Sequence, residues 1–121
     1  MQYLLLIHDD EQLWAGMSED ERSAYHGEYM GYTQQLIDAG AYVGGNQLQP
    51  TPTATVVRVR EGETLTTDGP FAETKEQLGG YYLIEADSLD DAIQWAAKLP
   101  GSHHGSVEIR AIAEVPAEVG T

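Results

Sequence analysis

Two segments of this chain, Gln2–His8 and Tyr81–Ala86, have strand character and are apolar on both faces. In the first, Tyr3, Leu5 and Ile7 alternate with Leu4, Leu6 and His8. Neighbouring side chains on a strand point to opposite faces, so each run belongs in the middle of a sheet covered on two sides. That requirement constrains the fold more than any other feature. Helices supply one cover, and the second must come from elsewhere.

The helices are legible from their caps. Ser18-Glu19-Asp20-Glu21 is a capping box, with Ser18 as the cap and Glu21 reaching back. The helix it starts runs to about Ala39, with Gly40 as its stop. Tyr25, Tyr29, Tyr32, Thr33, Leu36 and Ile37 form one broad arc, with His26 and Met30 at its edge. Ser88-Leu89-Asp90-Asp91 opens a second helix that Pro100-Gly101 ends. Its expected buried face is Leu89, Ala92, Ile93, Ala96 and Ala97, with Trp95 on the opposite side.

Between the helices the punctuation is that of strands and turns. Asp9-Asp10-Glu11 closes the first strand, and Tyr42–Leu48 is a short strand containing Gly44-Gly45. Thr55–Arg60 and Thr64–Thr67 flank Glu61-Gly62-Glu63, which is hairpin spacing. Asp68–Gly80 reads as a long loop and Val107–Ile112 as the last strand. The order is β-α-β, an inserted hairpin, then β-α-β. Helices on one side of such a sheet give a ferredoxin-like α+β sandwich in a single domain, 1–112, with a tail over 113–121. An identical subunit, packed sheet to sheet, is the economical cover for the second face.

Composition limits the partners. With 6 basic against 20 acidic residues, the formal charge is −14. Such a surface repels nucleic acid and anionic lipid, so neither is expected. Solubility explains the charge, and a basic partner protein is the sharper alternative. There is no cysteine, which excludes disulfides and thiolate metal sites. The opening apolar run is too short for a signal core or a membrane span, so a cytoplasmic protein is expected. Arg58, Arg60, Lys75 and Arg110 all lie in the second half, where a small anionic ligand would find its counter-charge.

The block Asp68-Gly69-Pro70-Phe71-Ala72-Glu73-Thr74-Lys75-Glu76-Gln77-Leu78-Gly79-Gly80, followed by Tyr81-Tyr82-Leu83-Ile84, resembles the YCII-related family in its Asp-Gly-Pro-Phe branch. Tyr3–Ile7, Val43-Gly44-Gly45, Leu48-Gln49-Pro50, Trp95-Ala96-Ala97 and Gly105–Arg110 agree with it. The resemblance implies a ferredoxin-like homodimer that closes into an α+β barrel. A few members of the family look like enzymes with a His–Asp pair in the dimer cleft. His26 is on the first helix, where that histidine is placed, and Asp68 is its expected partner. The branch also implies a setting beside extracytoplasmic-function sigma factors.

Each candidate has a plain structural alternative. Asp68 before Gly69-Pro70 is either an Asx turn or a fixed carboxylate at a cleft. His26 is either half-buried and satisfied or a general base, since imidazoles titrate near neutrality. Arg58 and Arg110 make cross-strand ion pairs or clamp an anion. Tyr82, with Phe71, walls a pocket or fills the core, and Lys75 and Glu76 stand at the cleft rim. His8, Asp9 and Asp10 have metal-ligand chemistry, but alternation along a strand keeps all three from converging. His103-His104 is an exposed loop pair, and Gly27 and Gly31 suggest a close approach to their helix. Neither metal nor cofactor is expected. Three functions remain: a ligand-binding homodimer without assigned activity, a small lyase or hydrolase using His26 and Asp68 on an anionic substrate, or a sigma-factor partner.

Overall fold

The computed structural model describes residues 1–114. The expected tail lies outside the described residues from position 115 onward. Six strands and three helices follow in the order β1 (Gln2–Asp9), α1 (Glu11–Ala15), α2 (Glu19–Asp38), β2 (Tyr42–Gln47), β3 (Thr55–Arg60), β4 (Glu63–Asp68), β5 (Gln77–Glu85), α3 (Leu89–Lys98) and β6 (Ser106–Ala111). Short 3-10 turns occupy Thr51–Thr53 and Pro100–His103. The main sheet has the order β2-β5-β1-β6, and every neighbouring pair is antiparallel. β3 and β4 form a separate two-stranded sheet. This is the ferredoxin-like sandwich with an inserted hairpin. No helix among the described residues is long and apolar enough to cross a membrane.

Register explains the core. Tyr3, Leu5 and Ile7 of β1 stand opposite Ile84, Tyr82 and Gly80 of β5. On the other side they face Ala111, Ile109 and Val107 of β6. Tyr32 and Leu36 of α2, with Ala92 and Ala96 of α3, pack onto that face. Leu5, Leu36, Ile84 and Leu99 are fully buried. Each such side chain contributes about 1.5–3 kcal/mol.

α2 begins as its sequence dictates. The Glu21 amide donates to Ser18 Oγ at 3.1 Å, and the Ser18 amide donates to Glu21 Oε1 at 3.2 Å. It ends where Gly40 takes φ of 71°, letting Gly40 and Ala41 donate back to Ile37 and Leu36.

The opposite face of the sheet has no helix over it among the described residues. Leu4 and Leu6 of β1 stand opposite Leu83 and Tyr81 of β5, all four half-buried. The two-faced apolar strands of the sequence therefore present one face to the helices and leave the other open.

Four expectations are corrected. The long loop is only Gly69–Glu76, because β5 starts at Gln77. Leu78 pairs with His8 and Gly80 with Ile7, so Gly79 is the extra residue of a β-bulge that keeps the strand running. The acidic run after β1 does not simply end a strand: Asp10 Oδ1 accepts from the Gln12 amide at 2.9 Å and caps α1. On α3, Leu89, Ile93 and Ala97 are exposed, whereas Trp95 turns inward. The Tyr32 hydroxyl donates to the Trp95 carbonyl at 2.8 Å, and the two rings meet edge to face. Finally, nothing approaches Gly27 or Gly31 within 4 Å of where a Cβ would stand.

Candidate functional site

A cleft of about 490 Å³ opens between α2, the end of β1 and the β2–β5 edge of the sheet. That size suits a small organic molecule. β1 delivers Asp9 to it at the point where the strand leaves the sheet. One face of α2 delivers Tyr25, His26, Tyr29, Met30 and Thr33, residues three and four apart and therefore aligned. Gly45 and Tyr82 line it from the sheet, and Trp14 from α1. Gly45 is required by a close approach: a Cβ there would meet the Tyr81 carbonyl at 2.8 Å and Tyr82 Cδ1 at 3.0 Å.

The rim is stapled by Glu11. Its Oε1 accepts from the Thr51 amide at 2.6 Å and its Oε2 from Thr51 Oγ1 at 2.8 Å. The Glu11 amide donates to Gln77 Oε1 at 3.0 Å. These bonds join α1, the turn after β2 and the start of β5. Hydrogen bonds to an ionised carboxylate are stronger than neutral ones, so the staple holds the walls in place.

The electrostatics of the closed end are set by burial. Desolvation pushes the Asp9 carboxyl above its usual range, although the Asp10 amide, donating to Oδ1 at 2.8 Å, and His104 pull it back. Burial likewise raises the Tyr25 and Tyr29 phenols, which stay protonated. The Tyr25 ring packs against Trp14, Tyr29 and His104 at centroid distances of 5.6, 5.2 and 5.5 Å. Further along, Thr33 Oγ1 and the Tyr82 hydroxyl share a hydrogen bond of 2.7 Å. No lysine or arginine lines the cleft. The arrangement is an aromatic slot with a half-buried carboxyl, Asp9, an exposed imidazole, His26, and several phenols.

The structure brings His26 and Tyr82 to this cleft and leaves the other candidates outside its lining. Asp68 ends β4 on the separate hairpin and is exposed. Its side chain accepts no hydrogen bond among the described residues. The turn is instead closed by the Gly69 amide, which donates to the Ala54 carbonyl at 2.7 Å with φ of 101° at Gly69. Arg58 lies over the Phe71 ring at 5.8 Å, and Phe71 is 81% exposed. Lys75 is exposed in the same loop. Glu76 Oε1 accepts from Ser106 Oγ at 3.0 Å. Arg110 pairs with Glu108 at 3.5 Å on the open face of the sheet.

Sequence reasoning weighed Asp9 only as a metal ligand. Its place at the end of a central strand was the available signal, because such ends open onto the cleft between sheet and helix. His104 gave none. The tight turn before β6 puts its ring on Tyr25: a Cβ at Gly105 would collide with the His8 carbonyl at 2.1 Å.

A model of the YCII-related domain matches residues 1–116. The chain belongs to the YCII-related family. This YCII-related chain is 37% identical over 115 residues to an uncharacterised protein of Rhizobium meliloti (strain 1021), with 93% of each chain covered. It is also similar in structure to a 5-chloro-2-hydroxyhydroquinone dehydrochlorinase, TftG, of Burkholderia phenoliruptrix AC1100, solved with 2,5-dihydroxybenzoquinone. There the TM-score is 0.55 with 14% identity, over 95% of this chain and 96% of that one. The likeness at that identity is one of fold, and it spans the sandwich from end to end.

Proposed function

We propose that this chain is a small cleft enzyme of the lyase type that acts on an oxygenated ring, with His26 as general base and Asp9 as its acidic partner. One observation carries the reading: an imidazole and a carboxyl raised by burial line the same aromatic-walled cleft. An imidazole and a carboxyl that face one cleft suit paired base and acid roles. The expected pair of His26 with Asp68 gives way to His26 with Asp9. The substrate expectation changes as well. With Asp9, Asp10 and Glu11 in the lining and no lysine or arginine, the cleft suits a neutral ligand better than an anion.

The chemistry balances without an oxidant. The reacting form is the keto tautomer, in which an O–H proton has moved to the halogen-bearing carbon. His26 takes a proton from a ring O–H. The electron pair so released then forms a C=O bond and shifts the ring π bond, and a leaving group such as chloride departs with the pair of its C–X bond. In its protonated form, which burial favours, Asp9 donates to a ring oxygen and stabilises the charge that builds there. TftG, which shares the fold and whose name describes such an elimination, supports this class of reaction. The protein acts as a homodimer in this reading, with the open face of the sheet as the contact.

The test is chloride release from 5-chloro-2-hydroxyhydroquinone and related halogenated hydroxyarenes. Wild type should accelerate release, and His26→Gln and Asp9→Asn should each lower kcat by about 10²–10⁴-fold. Asp68→Asn should leave kcat within about twofold, because its carboxyl stands outside the cleft. No acceleration by wild type over buffer, across the series, would sink the enzyme reading.

A further inference from the structure

One buried side-chain oxygen has no hydrogen-bond partner among the described residues, and it is the Tyr25 hydroxyl. Tyr25 is 8% exposed and is one of the cleft's lining residues. Folded proteins rarely leave such a group unpaired, since a buried unsatisfied hydroxyl costs on the order of 1–3 kcal/mol. Its neighbours do not relieve it. The Tyr29 hydroxyl interacts with it, but the two oxygens make no hydrogen bond of regular geometry. The other rings around it, Trp14 and His104, present tilted or edge-on faces. Tyr82, by contrast, is fully engaged with Thr33.

We infer that Tyr25 is a specificity-determining donor, which gives its hydroxyl proton to an oxygen of a neutral phenol or quinone ring bound in the cleft. This rests on the cleft reading above and adds to it the atom that selects the substrate. The hydroxyl is sealed from water, so no solvent bond has to be broken when a ligand oxygen arrives. The Trp14 side chain, whose ring lies on Tyr25, is what must turn aside while the α1 backbone stays in place. It stands on α1, a five-residue helix with no buried residue, whose backbone is held by the Glu11 staple and by Arg22, which donates to the Trp14 and Ala15 carbonyls. Asp9 and Tyr25 line the same cleft, which puts the acid and the donor within reach of one ligand. A site that hydrogen-bonds a ring oxygen rejects the ring lacking it, because the buried donor is then left unpaired.

The experiment is calorimetric titration of wild type, Tyr25→Phe and Tyr29→Phe with hydroquinone and with p-xylene, its analogue without oxygens. Wild type should prefer hydroquinone. Tyr25→Phe should weaken hydroquinone binding about tenfold, the worth of one net hydrogen bond, and leave p-xylene unchanged. Tyr29→Phe should change the preference by less than about threefold. The Tm of Tyr25→Phe should hold or rise, since the variant deletes an unpaired oxygen. As a second readout on the native chain, a ring-labelled Tyr25 signal should shift on adding hydroquinone. Equal hydroquinone binding by wild type and Tyr25→Phe, or an unmoved Tyr25 signal at saturation, overturns the assignment while the cleft reading stands. If wild type binds neither compound, both fall.

Discussion

At the scale of single residues, Asp9 carries the most testable physics. Burial is the largest influence on its carboxyl and raises its pKa above the ordinary value of 3.8. The folded protein therefore holds this proton more tightly than the unfolded chain does. Stability follows the difference in bound protons, so the Asp9 contribution falls as pH rises from about 3.8 to the folded value. Above that value the cost of partly desolvating the charge is in force. Asp9→Asn removes the titration and keeps the oxygen that accepts from Asp10. The variant should melt higher than wild type at neutral pH, and the two should converge as pH falls below 3.8. Melting curves across that range check this; a variant that melts lower at neutral pH would contradict the buried-charge reading. The same residue marks the limit of sequence reasoning. Its chemistry was visible, but the nearness of α2 and His104 depends on contacts far apart along the chain. His26 and Tyr82 were legible because one sits on a helix arc and the other on a two-faced strand.

At the scale of elements, legibility followed the locality of the cause. α2 was readable at both ends because Ser18, Glu21 and Gly40 act within their own turns. Removing the cap tests that. Ser18→Ala should cost about 1 kcal/mol, loosen the first turn of α2 and lower the denaturation midpoint. Because the cleft residues of α2 begin only at Tyr25, two turns on, ligand binding should change less than stability does. Urea unfolding beside titration separates the two. β5 was read four residues too short for the opposite reason. Gln77-Leu78-Gly79-Gly80 has poor strand propensity, and only pairing with His8, Ile7 and Gln47 makes it a strand. The inward turn of Trp95 is likewise non-local, set by Tyr32 of α2. The inserted hairpin was read correctly as β3 and β4, yet it stands apart from the main sheet. Val57 and Val59 are each 59% exposed.

At the scale of the whole molecule, two properties follow from how the layers close. The core is rich in tyrosine, and burial raises the phenols of Tyr25, Tyr29, Tyr32 and Tyr82 above 10. Their stabilising contribution is complete below pH 10 and is lost as pH climbs toward the folded values, because only the unfolded chain ionises readily. Alkaline unfolding should therefore be steep and coincide with phenolate absorbance, and Tyr32→Phe should flatten it. The second property is the open face. The sequence demanded two covers for β1 and β5, and the helices provide one. Leu4, Leu6, Leu83 and Tyr81 form an apolar centre beside a polar margin of His8, Glu108 and Arg110, where His8 Nε2 lies 3.3 Å from Glu108 Oε1. An apolar centre with a polar rim is the anatomy of a protein contact. A two-fold contact uses the same patch twice, so one substitution counts in both subunits. Leu6→Asp removes at least about 1.5 kcal/mol of burial per subunit. Both subunits together lose about 3 kcal/mol, or roughly a hundredfold in Kd. Light scattering should give a dimer for wild type at micromolar concentration and a monomer for Leu6→Asp. The helical circular dichroism should be unchanged, because Leu6 faces away from α2 and α3. A wild-type monomer at that concentration would remove the second subunit as the cover for this face.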